Sequence, residues 1–179
     1  MPDREQLVAG VLPGYDDVVG SALWRLEDGR ERTLRLLANV PDEFVDVETR
    51  GNTIGTILYH VALIETDWLC AEILEEPYPD ELRALLPVDD RDAQGVLTVV
   101  HEESFEQHLA RLRAVRTTLL DRLRGMTADD FVRPRTLPDY DVTPAWVLHH
   151  LSQHEAEHRG EIGSAIDAIK HDAKEGGVA

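Results

Sequence analysis

The 179-residue sequence contains one cysteine, Cys70. A single thiol excludes an intramolecular disulfide and any zinc site built from cysteines, and it suits a reducing compartment. Basic residues are also scarce: 18 Lys and Arg stand against 35 Asp and Glu, giving a formal net charge of -17. That sign repels phosphate backbones and anionic lipid surfaces, so neither nucleic acid nor membrane is an expected partner. No uncharged apolar run approaches the roughly 18 residues that span a bilayer. The opening residues, MPDREQLVAGVLPGYDD, carry acidic groups where a secretory signal carries basic ones. The expectation is a cytoplasmic protein whose charge serves solubility.

With 42% hydrophobic and 30% charged residues, the composition is that of a globular protein, and one domain over residues 1–179 is expected. Apolar residues at a spacing of three and four mark four helices. The first runs from Tyr15 to about Asn39, with Val18, Val19, Ala22, Leu23, Leu26, Leu34 and Leu37 as its stripe. Arg50-Gly51-Asn52-Thr53 supplies a turn and a cap for the second, about Thr53 to Leu74. The third spans about Thr98 to Arg124, with Gly125 as its stop. Thr143-Pro144 opens the fourth, which runs to about His171, and the tail KEGGVA should fray. No convincing strand is visible, Val96–Val100 being the nearest to one. Between the second and third helices, about Glu75 to Leu97, prolines and an acidic pair make a long connection. Such a crossover lets the second and third helices run parallel, and the class expected is an all-α four-helix bundle.

The fourth helix holds the most informative sequence, LHHLSQHEAEHRGEIGSAI. At about 100° per residue, His154 and His158 fall on one narrow arc with Val147, Leu151, Ala165 and Ile169, so both imidazoles should point inward. A lone buried histidine is ordinarily a core residue bonded to a polar neighbour. Two imidazoles one turn apart instead place their nitrogens where one divalent cation can bridge them. His60 lies on the side of Ile57 and Ile64 on the second helix, and His101 and His108 share the apolar stripe of the third. Three inward imidazoles from two helices suffice for a cation, with water or substrate completing the shell. His150 and Glu161 sit at the edge of the arc, as boundary residues or as groups that contact a ligand or substrate.

His154-Glu155-Ala156-Glu157-His158 satisfies the HExxH pattern of zinc peptidases. The third histidine of the longer metzincin form is missing, and so are strands to hold a peptide. A di-iron bundle needs two Glu-x-x-His pairs, and only Glu155 to His158 fits clearly.

HEAEHRGEI, with GNTIGTILYHVALIETDWL on the second helix, resembles the DinB-like superfamily of bacterial four-helix bundles. The resemblance spans nearly the whole chain. It implies an up-down-down-up bundle with His60, His154 and His158 as ligands of one divalent metal, zinc foremost, with nickel or iron also compatible with imidazole. Members often read HExHHRG, whereas Glu157 stands here in place of the extra histidine. Arg159-Gly160 reads as packing and close helix approach. The resemblance further implies a homodimer, and a metal-dependent transferase that joins a low-molecular-weight bacterial thiol to an electrophilic small molecule. In that reading Glu155 or His150 manages protons. Two alternatives stand beside it: hydrolysis by metal-bound hydroxide with Glu155 as base, and a stress-linked, non-enzymatic protein whose ion fastens two helices.

Overall fold

The computed structural model describes residues 4, 7–49 and 51–176. Parts of the opening segment, of the expected turn at 50–53 and of the expected fraying tail lie outside the described residues. The fold is mostly helical: α1 (Asp17–Leu37), α2 (Ile54–Asp67), α3 (Asp80–Leu85), α4 (Phe105–Leu123), α5 (Ala128–Val132) and α6 (Pro144–Gly176). No described helix is long and apolar enough to cross a membrane.

Caps set the helix starts. Asp16 accepts from the Val18 amide at α1, and Thr53 accepts from the Thr56 amide at α2. At α4, Ser104 and Gln107 form a reciprocal capping box, which fixes the start at Phe105 rather than at Thr98. Residues 98–103 are therefore outside the helix, with the Val100 amide donating to Thr56 Oγ1 at 3.1 Å and Glu102 in a left-handed conformation at a φ of 62°. α6 continues to Gly176, beyond the expected end at His171. The second expected helix changes character at Trp68: Trp68–Leu74 is π-helical and closes at Glu75, which takes a left-handed φ of 55°. Two short strands, β1 (Arg135–Thr136) and β2 (Asp141–Val142), pair antiparallel where none was expected. The segment at Val96–Val100 contributes only an isolated bridge between Arg91 and Leu97.

Two apolar clusters fill the interior. One contains Leu37, Ile57, Leu112, Val115, Ile162 and Ile166, and the other contains Leu23, Leu26, Leu69, Leu119, Val147 and Leu151. Between them each long helix contributes one charged residue: Arg30 from α1, Glu65 from α2, Arg116 from α4 and Glu155 from α6. Arg30 donates to Glu65 Oε2 and Glu155 Oε1, both at 2.8 Å. Arg116 donates to Glu65 at 2.7 and 2.9 Å and to Glu155 Oε2 at 3.2 Å. All four are buried. Burial pushes the Glu65 carboxyl up, but the two guanidiniums outweigh it and hold the group below its ordinary value.

That ionic layer explains two departures from the expected stripe of α1. Val18 and Leu34 are exposed, whereas Arg30 and Thr33 are buried. An arginine with two carboxylate partners occupies an inward position that apolar periodicity cannot assign.

Candidate metal centre

His154 and His158 project from the middle of α6, one turn apart, and His60 projects from α2. His154 Nε2 lies 3.0 Å from His60 Nε2 and 3.1 Å from His158 Nε2. Among the described residues these three form the one group of His, Cys, Asp or Glu compact enough for an ion, with ligand atoms within 4.8 Å of one another. Two nitrogens on a tetrahedral zinc, each about 2.05 Å from the metal, are about 3.3 Å apart. The observed spacing is close to that edge.

Carboxylates fix which nitrogen of each flanking ring carries the proton. His60 Nδ1 lies 2.5 Å from Asp90 Oδ1, and His158 Nδ1 lies 3.0 Å from Glu161 Oε2. An ionised carboxylate only accepts, so both Nδ1 atoms donate and both Nε2 atoms keep lone pairs in the neutral rings. His154 Nε2 faces both lone pairs and has at most one proton to offer. A cation satisfies all three nitrogens at once, and carboxylates behind ligand imidazoles are the usual support of such sites.

Electrostatics favour the same state. Burial lowers the His154 pKa to about 3, helped by repulsion from His158, His60 and His150. Burial also lowers that of His60, with the opposing pull of Asp90 too weak to reverse it. Burial thus favours the neutral form of His154 and His60, the form that metal ligands require.

Asp90 is a residue that the sequence reading missed, taking it only as part of an acidic pair in the long connection. Its place is set by α2. The Tyr59 hydroxyl donates to the Val88 carbonyl at 2.9 Å and accepts from the Val88 amide at 2.8 Å. This ties the connection beside His60, thirty residues away in sequence.

The other candidates fall elsewhere. Among the described residues Glu155 makes no hydrogen bond to an imidazole; its two oxygens are held by Arg30 and Arg116. It faces about 100° around α6 from His154 and about 60° from His158, into the ionic layer. His150 packs on indoles, with ring centroids 4.5 Å from Trp68 and 5.1 Å from Trp146, and lies 5.9 Å from His154. His108, on α4, is buried against the start of α2; its Nδ1 accepts from Arg111 at 3.0 Å and its Nε2 has no partner among the described residues. A Cβ at Gly55 would stand 2.9 Å from that Nε2, so α2 approaches His108 through a glycine. His101 and His171 are exposed, and Glu157 lines a surface cleft with Glu161. Arg159 donates to the Gly29 carbonyl at 3.2 Å, which fits its reading as a packing residue.

The model of the DinB superfamily matches residues 25–162, a span that includes all three clustered histidines. No curated protein matches the chain.

Proposed function

Because the chain belongs to the DinB superfamily, we propose that it is a metal-dependent thiol S-transferase whose ion, foremost zinc, is held by His60, His154 and His158. The observation that carries this reading is the convergence of three Nε2 atoms with no fourth protein donor in the group among the described residues. A structural zinc site closes with four protein ligands, whereas a catalytic one keeps a position for substrate. Glu161 is engaged at His158 Nδ1 and His108 lies apart, so neither favours a closed site. The ion, when bound, supplies Lewis acidity that favours the thiolate form of a coordinated thiol.

The chain's own residues do the rest. Asp90 and Glu161 orient the flanking imidazoles, and the ionic layer through Glu155 fixes the rotation of α6 so that His154 and His158 face α2. His150, which has no hydrogen-bond partner among the described residues, is the group we assign to receive the thiol proton. The sulfur then forms its bond to carbon of the acceptor, whose leaving group departs with the bonding pair. Hydrolysis with Glu155 as base has less support, since both its carboxylate oxygens are committed to arginines.

The reading takes residues 1–179 as one domain, with α1, α2, α4 and α6 as an up-down-down-up bundle. The order in which the helices meet the two apolar clusters supports this: α1 and α6 pass from Leu23 or Val147 toward Leu37 or Ile166, and α2 and α4 pass the other way. Homodimerisation is kept as a family expectation. The test is a survey of bacillithiol, mycothiol and glutathione with electrophilic acceptors, comparing metal-loaded and chelated protein. Metal-dependent conjugation with at least one thiol is expected, and its absence with all three overturns the assignment.

A further inference from the structure

Beside the histidines lies a second feature that the metal does not explain. Trp68, at the first position of the π-helical segment, and Trp146, in the first turns of α6, line a cleft of about 570 Å³ together with Pro134, Tyr140 and Val142. Volumes of about 300–1,000 Å³ are those of small-molecule sites. The indole centroids are 5.3 Å apart with the rings tilted by 32°, so they form one continuous aromatic wall. His150 stacks on Trp146 at an interplanar angle of 11° and continues toward His154.

Trp146 and Tyr140 are 48% and 47% exposed. Large aromatic side chains left half in water in a concave site are poor solubility devices and good ligand contacts. The π-helical geometry adds to this, because such turns are costly and concentrate where a side chain must be aimed. The charged group in the lining is Asp141, a carboxylate, and the protein carries a net charge of -17. Anions are therefore disfavoured.

We propose that the cleft between the π-helical segment and α6 binds a flat, uncharged aromatic molecule, the acceptor substrate of the neighbouring imidazole cluster. The role as acceptor rests on the transferase reading above; the binding does not.

The test uses N-phenyl-1-naphthylamine, an uncharged fluorophore with a flat naphthalene ring, titrated into chelated full-length protein and followed by its own emission and by energy transfer from tryptophan. Saturable binding at one site is expected. Trp146→Ala should weaken it at least tenfold, and Trp24→Phe, which alters the indole beside Gly10, should leave it unchanged. The sulfonated analogue 1-anilinonaphthalene-8-sulfonate should bind at least tenfold more weakly than the neutral probe. Circular dichroism checks folding, and Tyr140→Ala provides the same comparison if Trp146→Ala does not fold. Equal affinity in the folded cleft variant and the parent protein, or no saturable binding, overturns the proposal. Probe binding without thiol transfer would leave the cleft standing and remove the transferase; transfer to aromatic acceptors with a KM unmoved by Trp146→Ala would do the reverse.

Discussion

His60 Nδ1 lies 2.5 Å from Asp90 Oδ1, so a loop carboxylate supports a helix imidazole from outside the cluster. Its contribution differs from that of a ligand. Replacing a carboxylate behind a ligand histidine typically weakens metal binding about 10- to 100-fold, because the ring loses its fixed tautomer and some basicity. Asp90→Asn should show that intermediate loss in a competition titration against a chromophoric chelator. His60→Ala and His154→Ala should abolish stoichiometric metal in elemental analysis. Equal affinity for Asp90→Asn and the parent protein would mean that the carboxylate does not tune the site.

Glu155→Gln separates structure from chemistry. Removing one partner from a buried ion network costs about 3 kcal/mol, since the remaining charges lose compensation. For a domain of this size that corresponds to a fall in Tm of about 6–12 °C. Metal content should persist, and activity measured well below the lowered Tm should stay within a few-fold of the parent protein. A loss of turnover by orders of magnitude with Tm unchanged would restore Glu155 as a base.

The pH dependence of stability follows from the buried histidines. Burial lowers the His108 pKa to about 4, with Arg111 also pushing it down and Glu103 pulling up more weakly than burial. The unfolded chain therefore takes up a proton near pH 6.5 that the folded chain refuses until about pH 4. Stability conferred by the neutral ring is present above 6.5 and is lost as pH falls across that window. Chemical denaturation of chelated protein should show a declining free energy from pH 6.5 to 4. His108→Gln should flatten the slope without removing it, because His154 carries a depression of the same sign. An unchanged slope in His108→Gln would show that this ring titrates normally.

Much of this architecture was legible in the chain because it is local. The spacing of Leu112, Val115, Leu119 and Leu123 marks α4, Thr143-Pro144 marks the start of α6, and the arc shared by His154 and His158 marks the inward face. The parts that were not legible are set by partners distant in sequence. Arg30 reads as a surface arginine until Glu65 and Glu155 are known to face it, and Asp90 reads as loop solubility until Tyr59 ties that loop to α2. The start of α4 could have been read more closely, since Ser104 followed three residues later by Gln107 is a recognisable cap. Glu155 shows the limit of a motif: the HExxH pattern suggests chemistry at a residue whose position on the helix places it among arginines.

Metal should stabilise the fold through mass action, and the size of the effect can be stated in advance. An ion that binds the folded chain alone contributes about 2.7 kcal/mol when its free concentration is 100 times Kd. At about 2–4 °C per kcal/mol, Tm should rise by about 5–11 °C on loading. The increment belongs to the junction of α2 and α6, because His60 lies on one and His154 and His158 on the other. It should therefore disappear in His154→Ala and survive in Glu155→Gln, even though the second variant begins from the lower Tm. Differential scanning fluorimetry across a buffered metal series distinguishes the two. If His154→Ala kept the full metal-dependent rise, the ion would be bound elsewhere, and the three imidazoles would have to be explained as a polar core cluster instead.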